Sequence, residues 1–141
     1  MSEKFKRWQE KSLKQLTYTI NLFLGFSIAI LGFEFSLLFK NSFSPICFEK
    51  FAFSASIFAL IASAILGSVC VVNRLIDFRI TAQITRKKDK NNSDGIDDLR
   101  NKSNKLGNRT WAIFWGQIAL FGLGTILLVT SLLFYFSSKI F

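Results

Sequence analysis

The sequence predicts an all-α integral membrane fold: three transmembrane helices, with the second and third extended into a cytoplasmic antiparallel helical hairpin. Three observations predict it. Half of the 141 residues are hydrophobic and only one is proline. The apolar residues fall into three blocks, 17–39, 51–72 and 111–138; the last two carry no charge and the first carries only Glu34. A hydrocarbon core about 30 Å thick needs about 20 such residues as a helix, so each block is long enough to span. Finally, fifteen of the eighteen Lys and Arg lie in the first 16 residues and in segment 73–110. The positive-inside rule therefore places the N-terminus and segment 73–110 in the cytoplasm and the C-terminus outside.

The chain reads as one membrane domain, 1–141: a cytoplasmic tail 1–16, spans 17–39, 51–72 and 111–138, an outer loop 40–50 and the hairpin 73–110. In the tail, Phe5, Trp8 and Leu16 fall on one side with Arg7, Lys11 and Lys14 opposite, the pattern of an amphipathic segment in the headgroup layer. The first apolar block starts too late and runs too long for a signal-peptide core, so it is read as a retained span. Small residues mark expected packing faces, because they let membrane helices approach closely. These are Asn21, Gly25, Ala29, Gly32 and Ser36 in the first span; Ala55, Ala59, Ser63 and Gly67 in the second; Gln117, Gly124 and Ser131 in the third. Cys47 in the outer loop and Cys70 near the inner end of the second span are roughly 30 Å apart, too far to pair.

Nothing breaks a helix between Val71 and Lys90, where Ile76, Ile80 and Ile84 form one narrow apolar row. "NNSDG", 91–95, is a turn signal. After it, Ile96, Leu99, Ser103, Leu106, Thr110, Ile113 and Gln117 alternate by three and four, a heptad seam running into the third span. The two arms are each about 25 Å long as helices. Arg86, Lys87 and Lys88 are expected to approach Asp94, Asp97 and Asp98 across the turn. Gly107 marks either a kink or a close approach.

The chain has no His, its two Cys are separated, and no acidic pair stands at ligand spacing inside a span. These absences remove the usual zinc and nucleophile systems. "FGLGT" lies inside a span and is no phosphate fingerprint. No catalytic residue, cofactor or metal is expected.

Glu34 is the one charge within a span. The expected reading is a snorkelling side chain that reaches the outer headgroups or pairs with Lys40 or Lys50. The sharper alternative is an ion- or proton-sensitive group, lying near Ser27 and Asn41 and lining a pore or subunit interface. Asp77, between Arg74 and Arg79, reads as an ion-pair knot at the helix exit, or as a lipid-headgroup site. Trp111, Trp115 and Tyr135 read as interface anchors.

"NRLIDFRITAQITR" followed by "KLGNRTWAIFWGQ" resembles a group of small, uncharacterised bacterial three-span membrane proteins. The resemblance implies that architecture and a bacterial inner membrane, with no activity attached. It singles out Arg74, Asp77, Arg79, Arg109, Trp111 and Gln117. The expected function is a non-enzymatic membrane protein whose basic hairpin mediates association with a cytoplasmic partner or with itself as a homo-oligomer. The alternative is a small oligomeric channel or membrane-permeabilising effector using Glu34. The bilayer and its anionic headgroups are the expected contacts of the basic residues; nucleic acid is disfavoured, because acids interleave with the bases.

Overall fold

The computed structural model describes residues 3–40, 47–89 and 95–137, with side chains from residue 11 onward. It contains three long helices: α1 Glu3–Leu38, α2 Cys47–Asp89 and α3 Ile96–Tyr135. All three are long and apolar enough to cross a membrane. The tail is no separate element, since α1 runs unbroken from Glu3 through the first apolar block. The face predicted for Phe5, Trp8 and Arg7, residues 41–46 of the predicted outer loop and residues 91–94 of the predicted turn lie outside the described residues, while residues 47–50, expected in that loop, belong to α2.

Helix boundaries follow local chemistry. Gly95 has φ +72°, the left-handed conformation that glycine adopts without steric cost, and it opens α3. Leu99 N–H donates to its carbonyl at 3.3 Å. Asp97 and Asp98 occupy the first turn of α3, and Arg86, Lys87 and Lys88 the last turn of α2. Each set complements the partial charge of its helix end.

The bundle is polar within and apolar without. Its buried residues include Ser27, Glu34, Ser56, Ser63, Gln117 and Ser131, while Phe26, Phe33, Phe58, Ile65 and Ile126 face outward. In water this distribution would be unfavourable. In lipid it is the expected one, because hydrocarbon solvates the outer side chains and the inner polar groups must satisfy one another.

The inner contacts are strictly periodic. Ser131 Oγ donates to Glu49 O at 3.1 Å, Ser63 Oγ to Gln117 O at 3.0 Å and Cys70 Sγ to Thr110 O at 3.6 Å. Ser56 Oγ lies 2.8 Å from Gly124 O, and Ser103 Oγ donates to Asp77 Oδ1 at 2.5 Å. Each step of seven up α2, from 49 to 77, is met by a step of seven back along α3, from 131 to 103. Residues seven apart keep one face toward the partner when helices wind left-handed about each other. Interhelical hydrogen bonds in membranes average about 0.6 kcal/mol, so this set contributes roughly 3 kcal/mol. Its larger effect is on register: a one-residue slip strands several buried hydroxyls, at about 1 to 3 kcal/mol each.

α1 packs mainly on α2. It turns Ile20, Ser27 and Glu34 inward, again seven apart, toward Cys70, Ser63 and Ser56. The expected small-residue face of α1 is thereby corrected. Asn21, Gly25, Ala29, Gly32 and Ser36 are at the surface, and a methyl added at Gly25 or Gly32 meets nothing within 4 Å. Ser27 and Glu34 lie opposite that face, and their need for polar partners decides which side packs. In α2, Ala59, Ser63 and Gly67 are buried, and in α3 Gln117, Gly124 and Ser131 are buried, as their spacing implied.

The same period continues into the polar stretches of α2 and α3. Ile80, Ile84, Ile96, Leu99 and Leu106 are half-buried, while Arg79, Gln83, Arg86, Arg100 and Lys102 are exposed. Ile76, grouped with the isoleucine row by its spacing, is exposed instead.

Candidate functional site

Two polar constellations stand out, one inside the bundle and one where α2 and α3 leave their apolar blocks. The first centres on Glu34, whose side chain is fully buried. The snorkelling expectation is therefore corrected: the carboxyl group points at α2, not toward Lys40 or Lys50. Ser56 Oγ lies within hydrogen-bond distance of both Glu34 Oε1, at 2.5 Å, and Gly124 O, at 2.8 Å. One hydroxyl proton cannot serve both acceptors. A proton on Glu34 completes the set, running from carboxyl to Ser56 to the Gly124 carbonyl. Glu34 Oε2 has no partner, and no cation faces the group among the described residues. An unpaired buried carboxylate costs several kcal/mol, which the neutral acid avoids.

The next layer holds Ser27, Ser63 and Gln117. Ser27 Oγ donates to Phe23 O at 2.9 Å and lies 3.3 Å from Ser63 Oγ. Gln117 Nε2 reaches Ile20 O at 3.4 Å, and its Oε1 has no partner. Layers seven residues apart are separated by about 10.5 Å along a helix. That is too far for direct proton transfer from one layer to the next. The interior polar groups of one chain fasten helices together more readily than they conduct.

The second constellation is built around Arg74 and Asp77. Arg74 Nη1 lies 3.6 Å from Asp77 Oδ2, one helical turn away, and Asp77 Oδ1 accepts from Ser103 of α3. The ion-pair knot thus has two charged members. Arg79 is exposed and takes no part. Arg74 Nε is buried without an acceptor. On one side of the pair a cleft of about 730 Å³ opens among the three helices, lined by Thr81, Ser103, Asn104, Asn108, Gly107 and Trp111, among others. On the other side a more apolar groove of about 380 Å³ lies between α1 and α2, lined by Leu13, Ile20, Val71, Leu75 and Phe78. Gly107 neither interrupts α3 nor permits a close approach: a methyl there meets nothing within 4 Å. Its missing side chain leaves the cleft open.

The residues singled out by sequence separate cleanly. Arg74, Asp77 and Trp111 meet at the cleft. Glu34 and Gln117 lie in different interior layers, and Arg109 and Arg79 are at the surface. Sequence reasoning missed Ser56, Asn104 and Asn108; it placed Ser103 on the seam of α3 but not its bond to Asp77. A period-seven search started from Ser63, which lies on the expected face of α2, finds Glu49, Ser56, Cys70 and Asp77. Among the described residues no cluster of His, Cys, Asp and Glu stands ready to hold a metal. No protein-family model, curated protein or solved structure matches the chain.

Proposed function

We propose that the chain is a non-enzymatic membrane module in which α2 and α3 form an antiparallel hairpin that projects into the cytoplasm and mediates protein or self-association. The carrying observation is that the period-seven contacts do not stop where the charge-free blocks stop. The Asp77–Ser103 hydrogen bond and the half-buried Ile80, Ile84, Ile96 and Leu99 lie beyond Val72 and before Trp111. A connection that only returned the chain to the bilayer needs no such packing. A stiff arm presents a charged outer surface, including Arg79, Arg86, Lys88, Arg100 and Lys102, away from the headgroups. The one-sided basic charge supports a cytoplasmic location.

The test removes one heptad from each arm, residues 78–84 and 96–102, which keeps Asp77 opposite Ser103. Co-purifying proteins and oligomer size are compared with the full chain in nanodiscs. Loss of a partner or of the oligomer is expected. Unchanged partners and unchanged size would sink the proposal.

The second reading, an oligomeric channel or permeabilising effector using Glu34, finds less support. Glu34 faces the interior of a single chain, so a pore enclosed between chains would not be lined by it.

A further inference from the structure

We propose that the cleft and groove flanking Arg74–Asp77 form a binding site for one phospholipid with an amino headgroup. The inference is independent of the hairpin's partner and rests on the pair's own unmet bonding. A guanidinium offers five N–H donors in a planar fork. Arg74 is mostly buried, its Nε has no acceptor, and its one ionic contact among the described residues is 3.6 Å, longer than an ordinary hydrogen bond. Asp77 gives one oxygen to Ser103 and keeps capacity on the other. The pair therefore has donors in search of an acceptor oxygen beside a carboxylate with room for a cation.

A phosphate joined to an ammonium supplies both. The phosphate oxygens meet Arg74, with the Asn104 and Asn108 amides within the same cleft, and the ammonium meets Asp77. A lone phosphate or a purely anionic headgroup satisfies Arg74 but brings negative charge against Asp77. The apolar groove explains why the ligand has a tail. It adjoins the polar cleft through the shared Leu13, Arg74, Asp77 and Thr81, and it opens between α1 and α2 toward their apolar blocks. Both volumes fall within the range of small-ligand sites. Arg74 and Asp77 are the first charges of α2 past residue 72, which sets the cleft at headgroup depth.

Trp111 lines the cleft and reports occupancy once Trp8 and Trp115 are replaced by Phe. The protein in detergent is titrated with dihexanoyl phosphatidylethanolamine, dihexanoyl phosphatidylglycerol, glycerophosphoethanolamine and inorganic phosphate. A saturable fluorescence change is expected for the phosphatidylethanolamine, with the other three at least about tenfold weaker. Equal binding of phosphatidylglycerol refutes the amino headgroup, equal binding of glycerophosphoethanolamine refutes the tail site, and equal binding of phosphate leaves a simple anion site. Gly107→Leu extends a side chain from a position where a methyl meets nothing within 4 Å into the open cleft, and is expected to weaken phosphatidylethanolamine binding about tenfold or more. Gly122→Leu, at a glycine with equally open surroundings outside the cleft, is expected to bind normally. Asn108→Leu, at an exposed cleft residue, is the second variant and is expected to weaken binding in a protein with the wild-type melting temperature. Wild-type affinity in both cleft variants, or no saturable change in the parent protein, overturns the site.

Discussion

Gly124→Ala and Gly32→Ala add the same methyl group to two transmembrane helices and are predicted to have opposite effects. At Gly124 the new carbon sits 2.9 Å from Leu60 Cγ and 3.2 Å from Leu60 Cδ2, with Ala59 Cβ at 3.4 Å. Leu60 is fully buried, and its branch carbon cannot rotate away as a flexible end would. Overpacking of this kind costs about 1 to 3 kcal/mol. Separating the helices also stretches the 2.8 Å contact between Ser56 and the Gly124 carbonyl, risking a further ~1 kcal/mol. The better helix propensity of Ala returns at most about 1 kcal/mol. The last two terms roughly cancel, so the net expectation is a loss of about 1 to 3 kcal/mol. At Gly32 nothing lies within 4 Å, so only the propensity term remains and the change is neutral or stabilising by up to about 1 kcal/mol. Reversible unfolding in mixed micelles, followed by helix content, resolves a gap of that size. A Gly124→Ala protein as stable as wild type, or a Gly32→Ala protein equally weakened, would refute the assignment of inner and outer faces.

Other consequences follow from the same contacts. Glu34→Gln keeps a donor toward Ser56 and is expected to retain wild-type stability, whereas Glu34→Ala loses about 1 to 3 kcal/mol; a protonated-carboxyl infrared band present in wild type and absent from Glu34→Gln would report the neutral acid, and its absence from both would contradict it. Leu99→Asp puts a charge on the half-buried face and is expected to cost about 1 to 3 kcal/mol locally, seen as faster proteolysis near residue 95, while Lys102→Gln at an exposed position has almost no effect; equal protease resistance in both would mean the polar stretches are not packed together. Cys47, exposed, is expected to react promptly with a thiol reagent in detergent, and Cys70, fully buried, only after unfolding; rapid labelling of both would contradict the α2–α3 contact at Thr110.

The three helices were legible because lipid imposes a simple requirement, about twenty apolar residues per crossing, and the sequence meets it three times. The inner face of α3 was legible for a similar reason: Ser103, Thr110 and Gln117, and then Gly124 and Ser131, repeat at seven in a background of larger apolar side chains. α1 misled because small residues mark any close approach, whether within one chain or between chains. Gly25 and Gly32 carried that signal, while the inward face was set by Glu34 and Ser27, whose demand is for hydrogen-bond partners. Glu34 itself was misplaced because its partner, Ser56, lies on another helix, and no local pattern reveals such a pairing. Arg74 and Asp77 were legible as neighbours on one turn. The cleft beside them was not, because it depends on Ser103, Asn104 and the missing side chain of Gly107 arriving from α3.

The central claim is that one register runs through α2 and α3 and out beyond the apolar blocks. It is tested most directly by disulfide cross-linking in liposomes, in a background with Cys47→Ala and Cys70→Ala. Asp77→Cys with Ser103→Cys, and one heptad further Ile84→Cys with Ile96→Cys, are predicted to cross-link rapidly with a mild oxidant. Ile84→Cys with Lys102→Cys, six residues out of register, is predicted to remain reduced. Cross-linking at the first pair alone, or equally fast cross-linking of the out-of-register pair, would contradict the account.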